Sequence, residues 1–432
     1  MSHGTAVAVG SLHAQYATFL QALDPALMGP MLDEAFGEDA GVGCVVADAK
    51  YEPGRPSTVL YRRGTDLFHA TVPPPGQGAP GVLLPNGVGV TAFPVDPGLP
   101  TLPEVLDPAR GGSALSRALG IPRRAKVETR LLRYRPGRRA TLLVTVPGGG
   151  ATATPYVAKV YHDGAKAAAV AAEGRGLGAL ALPPPLVLAP VVAHLPDLAV
   201  VVQGHVPGDQ LAIDDWGPVA VERRGADVAR AAQALAALHR GRVASGRPRP
   251  VDRELHRFVD RATAIRAVDR ATGEHLLGLA HLLLGWRSGP GPVSLVHGDC
   301  KPSQFLMAED RVAILDLDHC GLADPASDVG NFVSSLRQGA IRAGGQGGDG
   351  ATGGRSAAEA LGATFVAAYL DRAQPTAPDQ FAERVAFYVA VPLLRKALRA
   401  FARSPSSPLP GLYVDEGRRV AADRRDTDRG RG

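Results

Sequence analysis

His297-Gly298-Asp299-Cys300-Lys301-Pro302-Ser303-Gln304-Phe305-Leu306, followed closely by Ile314-Leu315-Asp316-Leu317-Asp318, is the stretch that decides how this chain reads. Its apolar flanks, Val293 to Val296 and Val312 to Leu315, fit short strands, with a loop between them. That pattern delivers one carboxylate, Asp299, from the loop and a second, Asp316, from the end of a strand 17 residues later. Phosphoryl transfer needs such a pair. A loop carboxylate orients an acceptor hydroxyl and takes its proton, while a second carboxylate and a side-chain amide hold magnesium against the phosphates. Asp316 and the amide of Gln304 would supply the oxygen ligands that magnesium prefers.

Upstream, YVAKVYHD (156–163) places Lys159 in a β-branched apolar strand, where a lysine needs a reason. Contact with nucleotide phosphates is one. Glu173 is the only acidic residue between 164 and 196 and falls in the helix that follows. It reads either as the ion-pair partner of Lys159 or as an exposed helix charge. The turn RPGRR (135–139) lies between two candidate strands and is not a Walker A loop, because GxxxxGK[ST] is absent. Lys301 is one of only six lysines. Two residues past Asp299, it reads as a cation for the transferred phosphate or as a solvent-facing side chain.

HGDCKPSQFL and ILDLDHCGLADPASDVGNF resemble the catalytic and metal loops of the aminoglycoside phosphotransferase and choline kinase superfamily, whose members have a protein-kinase-like fold. The resemblance spans about 125 to 400. It is supported by LAALHR (235–240), before the catalytic loop, and by VVQGHVPG (201–208), which looks like the strand and hinge between two lobes. It implies Asp299 as catalytic base, His297 as the brace of its loop, and Lys301 beside the transferred phosphate. It implies Asp316 as principal metal ligand, with Gln304 and Asp318 assisting, and a nucleotide site at Lys159, Glu173, Gln203, His205 and Val206. The implied cofactors are ATP and Mg2+. Gln304 stands where most of the family has Asn, although maltokinase-like members resemble this chain there. Lys301 stands where many small-molecule kinases have His and Ser/Thr protein kinases have Lys. Asp324 and Asp328 are expected to brace the loop and cap the next helix.

The resulting expectation is an α+β, bilobal, kinase-like fold. A cap-like α/β extension occupies 1–118, a small β-rich lobe 119–206, a helical lobe 207–403 and a disordered tail 404–432. Helices are expected within 12–36, broken at Pro25 and Pro30. Residues 73–112 read as loop, and 339–354 as a flexible Gly-rich insertion. YEPGRPSTVL (51–60) matches YRPGRRATLL (134–143) at six of ten positions, and each is followed by a further candidate strand, with Thr71 where the second copy has Lys159. Shared turn chemistry or a degenerate duplicated hairpin would each produce this match. Because the nucleotide candidates all lie after 125, removing 1–118 is expected to spare nucleotide binding.

The chain has 432 residues, 45% hydrophobic and 21% charged, with 47 basic and 42 acidic residues and a net charge of +5. No dense basic block with aromatics points to nucleic acid. The apolar window 177–195 is broken by Pro183, Pro184, Pro185 and Pro190, which argues against a membrane helix, and the N-terminus has no secretory pattern. The expected place is the cytoplasm. Cys44, Cys300 and Cys320 form no CxxC pair, so no disulfide framework or zinc ribbon is supported. Cys300 and Cys320 flank the two loops and read as packing residues, although a thiol near the site would make the protein sensitive to alkylation. The expected partner is a small-molecule acceptor such as a sugar, aminosugar, cyclitol or aminoglycoside-type compound. The competing readings are a peptide Ser/Thr kinase and a nucleotide-binding pseudokinase.

Overall fold

The computed structural model describes residues 9–37, 43–122, 126–146, 155–242, 248, 250–286, 291–344 and 350–429. Helices α1 (Val9–Ala22) and α2 (Pro25–Phe36) open the chain. They separate at Asp24, whose carboxylate accepts from the Ala26 N–H at 2.9 Å and caps α2, with Pro25 in the first turn. Pro30 does not break α2 as the sequence suggested. It lies inside the helix and removes one intrahelical donor.

A five-stranded sheet follows: β1 (Cys44–Lys50), β2 (Ser57–Arg63), β3 (Asp66–Val72), β4 (Val82–Leu83) and β5 (Gly89–Ala92), in spatial order β1-β2-β3-β5-β4. Helices α3 (Leu102–Leu106) and α4 (Gly111–Ala118) come next. The stretch 73–112 expected as loop therefore holds two strands, α3 and the start of α4. The second sheet comprises β6 (Glu128–Arg135), β7 (Arg139–Thr145), β8 (Tyr156–Tyr161), β10 (Val191–Leu195) and β11 (Val200–Gly204), with α5 (Gly164–Gly178) and β9 (Leu186–Leu188) between β8 and β10.

Its order, β6-β7-β8-β11-β10, repeats that of the first sheet strand for strand, and the corresponding pairs are all antiparallel. The sequence repeat has the same register. Lys50 faces Thr58, which faces Thr71; equivalently, Arg133 faces Thr141, which faces Lys159. Each first hairpin also carries a register shift, between Val46 and Asp48 and between Leu131 and Arg133. Of the two origins the sequence left open, the duplicated hairpin is the one this shared topology favours.

The extension is not a separable cap. One core cluster joins Leu60, Leu99, Leu102, Val105 and Leu115 with Leu142, Val160 and Val202 of the second sheet. A boundary at 118 cuts through it. The Thr101 hydroxyl also donates to the Leu198 carbonyl at 2.8 Å.

The second lobe contains β12 (Asp209–Gln210), α6 (Pro218–His239), α7 (Val251–Arg266), α8 (Arg270–Gly285), β13 (Ser294–Val296), β14 (Phe305–Met307), β15 (Val312–Ile314) and β16 (Gly321–Ala323), then α9 (Ala326–Gly344), α10 (Gly350–Ala373), α11 (Pro378–Arg403) and α12 (Leu409–Arg429). A small sheet, β12-β14-β15-β9, frames the catalytic stretch, and β13 pairs with β16 beside it. Of the Gly-rich run, 339–344 and 350–354 are helical, and 345–349 lie outside the described residues. Of the tail expected to be disordered, 409–429 form α12, and 430–432 lie outside the described residues. The helix buries Tyr413, Val414, Val420 and Ala421, and its Glu416 pairs with Arg337 of α9. Its Arg- and Asp-rich exposed positions conceal this helical stripe in a composition count. Among the described residues no helix is long and apolar enough to cross a membrane.

Candidate functional site

The loop between β13 and β14 is held from behind. Asp328, in the first turn of α9, is buried at 1% exposure and accepts from the His297 N–H at 2.5 Å and the Gly298 N–H at 2.8 Å. His239, at the end of α6, places Nε2 3.0 Å from the same carboxylate and Nδ1 2.7 Å from the Tyr369 hydroxyl. Burial pushes the Asp328 carboxyl up, but hydrogen bonding and charge from His239 outweigh it, and the carboxyl is held below its ordinary range. His239, the last residue but one of the LAALHR motif, thus braces the loop, a role that histidine spacing alone did not reveal. Asp324 differs: it accepts from the Ala326 N–H at 2.9 Å and from Arg384 Nε at 2.8 Å, yet burial outweighs these and raises its carboxyl.

His297 is fully buried. Its Nδ1 accepts from the Asp299 N–H at 3.2 Å, so the ring proton sits on Nε2 and is donated to the Leu315 carbonyl at 2.7 Å. One imidazole therefore ties the Asp299 loop to the strand end that carries Asp316. The Asp299 carboxylate accepts from Lys301 Nζ at 2.7 Å, with both side chains 30% exposed. Burial raises the Asp299 carboxyl, but Lys301 more than compensates and keeps it low. Cys300 is buried, and burial together with Asp328 and Asp299 pushes its thiol well up. Burial and the raised thiol favour the packing reading for Cys300.

Asp316 has φ 58° and ψ 54°, a left-handed backbone uncommon for a non-glycine residue. Such strain, held in place by its surroundings, is characteristic of functional positions. Its carboxylate meets the first lobe directly. Lys159 Nζ donates to Asp316 Oδ1 at 3.0 Å and to Asp318 Oδ1 at 2.9 Å. Arg139 donates to both Asp316 oxygens at 3.0 and 3.2 Å, and also to Asp318. The Tyr161 hydroxyl donates to Asp318 Oδ2 at 2.8 Å. The three donors share a face because Arg139 pairs opposite Tyr161 and Lys159 lies two residues along the same strand. Burial raises both aspartates, but Lys159 and Arg139 win and hold both below the ordinary carboxylate range.

Glu173 is not the partner of Lys159. It is exposed on α5 and lines a cavity of about 740 Å³ with Asp318, His319 and Cys320, while the ammonium is engaged by the two aspartates. Nothing in the sequence marked Arg139 beyond its place in the turn. Tyr161 also went unmarked, although its place two residues along the strand from Lys159 was a signal for it.

Gln304 is buried at 7% exposure in a 3-10 turn, Pro302–Gln304, and its backbone carbonyl accepts from Leu315 N–H at 2.8 Å. Its side-chain amide has no hydrogen-bond partner among the described residues. No three His, Cys, Asp or Glu side chains gather as a metal cage among them. Two aspartates and a free amide oxygen nevertheless fit magnesium, which takes one or two carboxylates and completes its shell with phosphate and water. Gln203 is buried at the end of β11, and His205 and Val206 occupy the link to β12, where the two lobes join.

The β6–β7 turn is fixed from the extension. Asp96 accepts from the Tyr134 hydroxyl at 2.8 Å and from the Gly137 and Gly98 N–H groups at 2.7 and 2.8 Å. A side chain at Gly98 would meet Gly137 Cα at 2.4 Å.

A strand-borne lysine held by two loop carboxylates, below a braced His-Gly-Asp loop, defines a kinase-like phosphotransfer site. Residues 131–384, more than half of the chain, match the family described as the phosphotransferase enzyme family, and the chain belongs to it. It is accordingly a phosphotransferase acting on a hydroxyl. Among solved structures it resembles choline kinase from Cryptosporidium parvum Iowa II, at 10% identity and TM-score 0.50, over 70% of this chain and 91% of that one. It also resembles a macrolide 2'-phosphotransferase from Brachybacterium faecium (17%, TM-score 0.43, 71% and 99%) and a glucosamine kinase (16%, TM-score 0.43, 94% and 98%). At these identities the choline kinase likeness shows the fold alone. No curated protein sequence matches the chain.

Proposed function

We propose that this protein transfers the γ-phosphoryl group of ATP to a hydroxyl of a small molecule, with Mg2+ held by Asp316, Asp318 and Gln304. The observation that carries this reading is Lys159 crossing from the first lobe to both aspartates of the second. Lys159 and Arg139 are placed to exchange those carboxylates for phosphate oxygens as nucleotide enters. Bound magnesium would supply charge neutralisation on the β- and γ-phosphates. Asp299, kept ionised by Lys301, orients the acceptor hydroxyl and takes its proton as the new O–P bond forms and the bond to the β-phosphate oxygen breaks. Lys301 then lies beside the developing charge. The strand, loop and helix between Asp316 and Ala326 leave little room for a long activation segment, which favours a small acceptor over a peptide.

The test is ADP release with an acceptor panel, paired with nucleotide binding. Asp299→Asn should retain ATP binding and lose turnover by a thousandfold or more, on the order expected when a catalytic base is removed. ATP binding without transfer to any hydroxyl compound would instead support the nucleotide-binding regulatory module.

A further inference from the structure

One flank of the Asp299–Lys301 loop is cationic. From Arg384 to Arg403, α11 carries five cations and no carboxylate. Lys396, Arg399 and Arg403 are spaced three and four apart and so share one face of the helix. Arg399 lies within electrostatic reach of Asp299, and Lys396 within reach of Lys301, Arg342 and Arg403. Arg261 of α7, Arg138 of the β6–β7 turn and Lys50 of β1 extend the group toward the extension.

The neighbouring carboxylates are already engaged. Asp299 holds Lys301 at 2.7 Å, and Glu254 holds Arg395 through two bonds of 2.7 and 3.0 Å. Asp48 holds Arg403 at 2.8 Å, and Glu52 holds Lys50 at 2.5 Å. Among the described residues Lys396, Arg399, Arg342, Arg261 and Arg138 have no carboxylate at ion-pair distance, and the carboxylates that Arg399 and Arg261 feel, Asp299, Glu254 and Glu52, each already hold another cation. Burial and the cations around it push the Lys396 ammonium down to about 8. Like charges gathered without counter-charge destabilise the fold locally, and an anion between them removes that cost.

Resting on the phosphotransferase reading above, we propose that the acceptor carries an anionic group, a phosphate or a carboxylate, besides the hydroxyl it offers, and that Lys396 and Arg399 hold it. A cationic amine would meet repulsion at the same place. The nucleotide phosphates are approached instead from β7 and β8, through Arg139 and Lys159.

The test is calorimetry on the full chain with saturating Mg-ADP filling the nucleotide site, titrating inorganic phosphate, glucuronate and glucosamine. Phosphate or glucuronate should bind more tightly than glucosamine, and the two arms distinguish the anion's chemistry. Lys396→Met and Arg399→Gln should each weaken anion binding by about tenfold or more, the worth of one charge-assisted contact, with ADP affinity changed less than twofold. Failure of both anions to bind to the ADP complex would overturn the proposal. So would tighter binding of glucosamine, anion affinity unchanged in both variants, or an equal loss of ADP affinity. Failure of ADP itself to bind would overturn the underlying kinase reading instead.

Discussion

Asp96 sits in the extension yet holds the β6–β7 turn, which on the proposed reading lies over the nucleotide phosphates. Its side chain is fully enclosed and accepts three hydrogen bonds, two of them from Tyr134 and Gly137 of the first kinase lobe. Hydrogen bonds to a charged group contribute about 1.5–3 kcal/mol each, and a buried donor left unpaired costs about 1–3 kcal/mol. Asp96→Ala strips both lobe donors of their acceptor, so a stability loss of about 3–5 kcal/mol is expected. Asp96→Asn keeps the shape but offers one acceptor oxygen instead of two, and should lose about half as much. The turn loosens in both, and a displacement of roughly one ångström in a phosphate contact can cost up to about a hundredfold. The KM for ATP should therefore rise more than kcat falls. Urea unfolding and ATP-dependent initial rates measure the two effects separately. An Asp96→Ala protein with unchanged KM for ATP and less than about 1 kcal/mol lost would refute the coupling. By the same geometry, deleting 1–118 should impair nucleotide binding, contrary to the expectation drawn from position alone.

Three further outcomes are expected. Gln304→Ala should raise the magnesium concentration needed for half-maximal turnover, and Gln304→Asn should recover little, because its shorter side chain withdraws the oxygen by one methylene; wild-type magnesium dependence in the Ala variant would remove Gln304 from the metal site. The Asp328 carboxyl is held below its unfolded value, so its contribution is complete above the ordinary aspartate pKa of about 4 and is lost as pH falls through the folded value. Asp328→Asn should therefore lower stability at neutral pH and flatten the acid limb of a pH–stability curve, and parallel curves would count against it. Tyr413→Ala, at a fully buried α12 position, should destabilise the protein by about 3–5 kcal/mol, read by chemical denaturation; a loss under about 1 kcal/mol would show that α12 does not anchor the second lobe.

What the sequence made legible was local. His297, Asp299, Gln304 and Asp316 lie in one strand–loop–strand unit, so spacing alone places them together, and Lys159 betrays itself as a charge in an apolar strand. What stayed hidden depends on contacts distant in sequence. Asp96 reaches a turn about forty residues on, and His239 reaches Asp328 across 89. Glu173 misled because nearness in sequence does not fix the direction in which a helix presents its side chain. In α12, Tyr413, Val414, Val420 and Ala421 carry a helical apolar stripe that its many charged residues obscure.

The doubled sheet also bears on how the chain reaches its native state. β2 and β7 present nearly the same edge, 83 residues apart, so each is a plausible wrong partner for the other's neighbours. A β2–β8 pairing would keep a threonine opposite Lys159 and satisfy the same backbone ladder. What rejects it is the side-chain environment, such as the Tyr61 hydroxyl donating to the Ala22 carbonyl at 2.5 Å, which only β2 in its own place can satisfy. Vectorial synthesis completes the first meander before the second is available, and so removes the competitor early. Refolding from denaturant presents all the strands at once, and swapped meanders would accumulate there as a slow, concentration-independent phase.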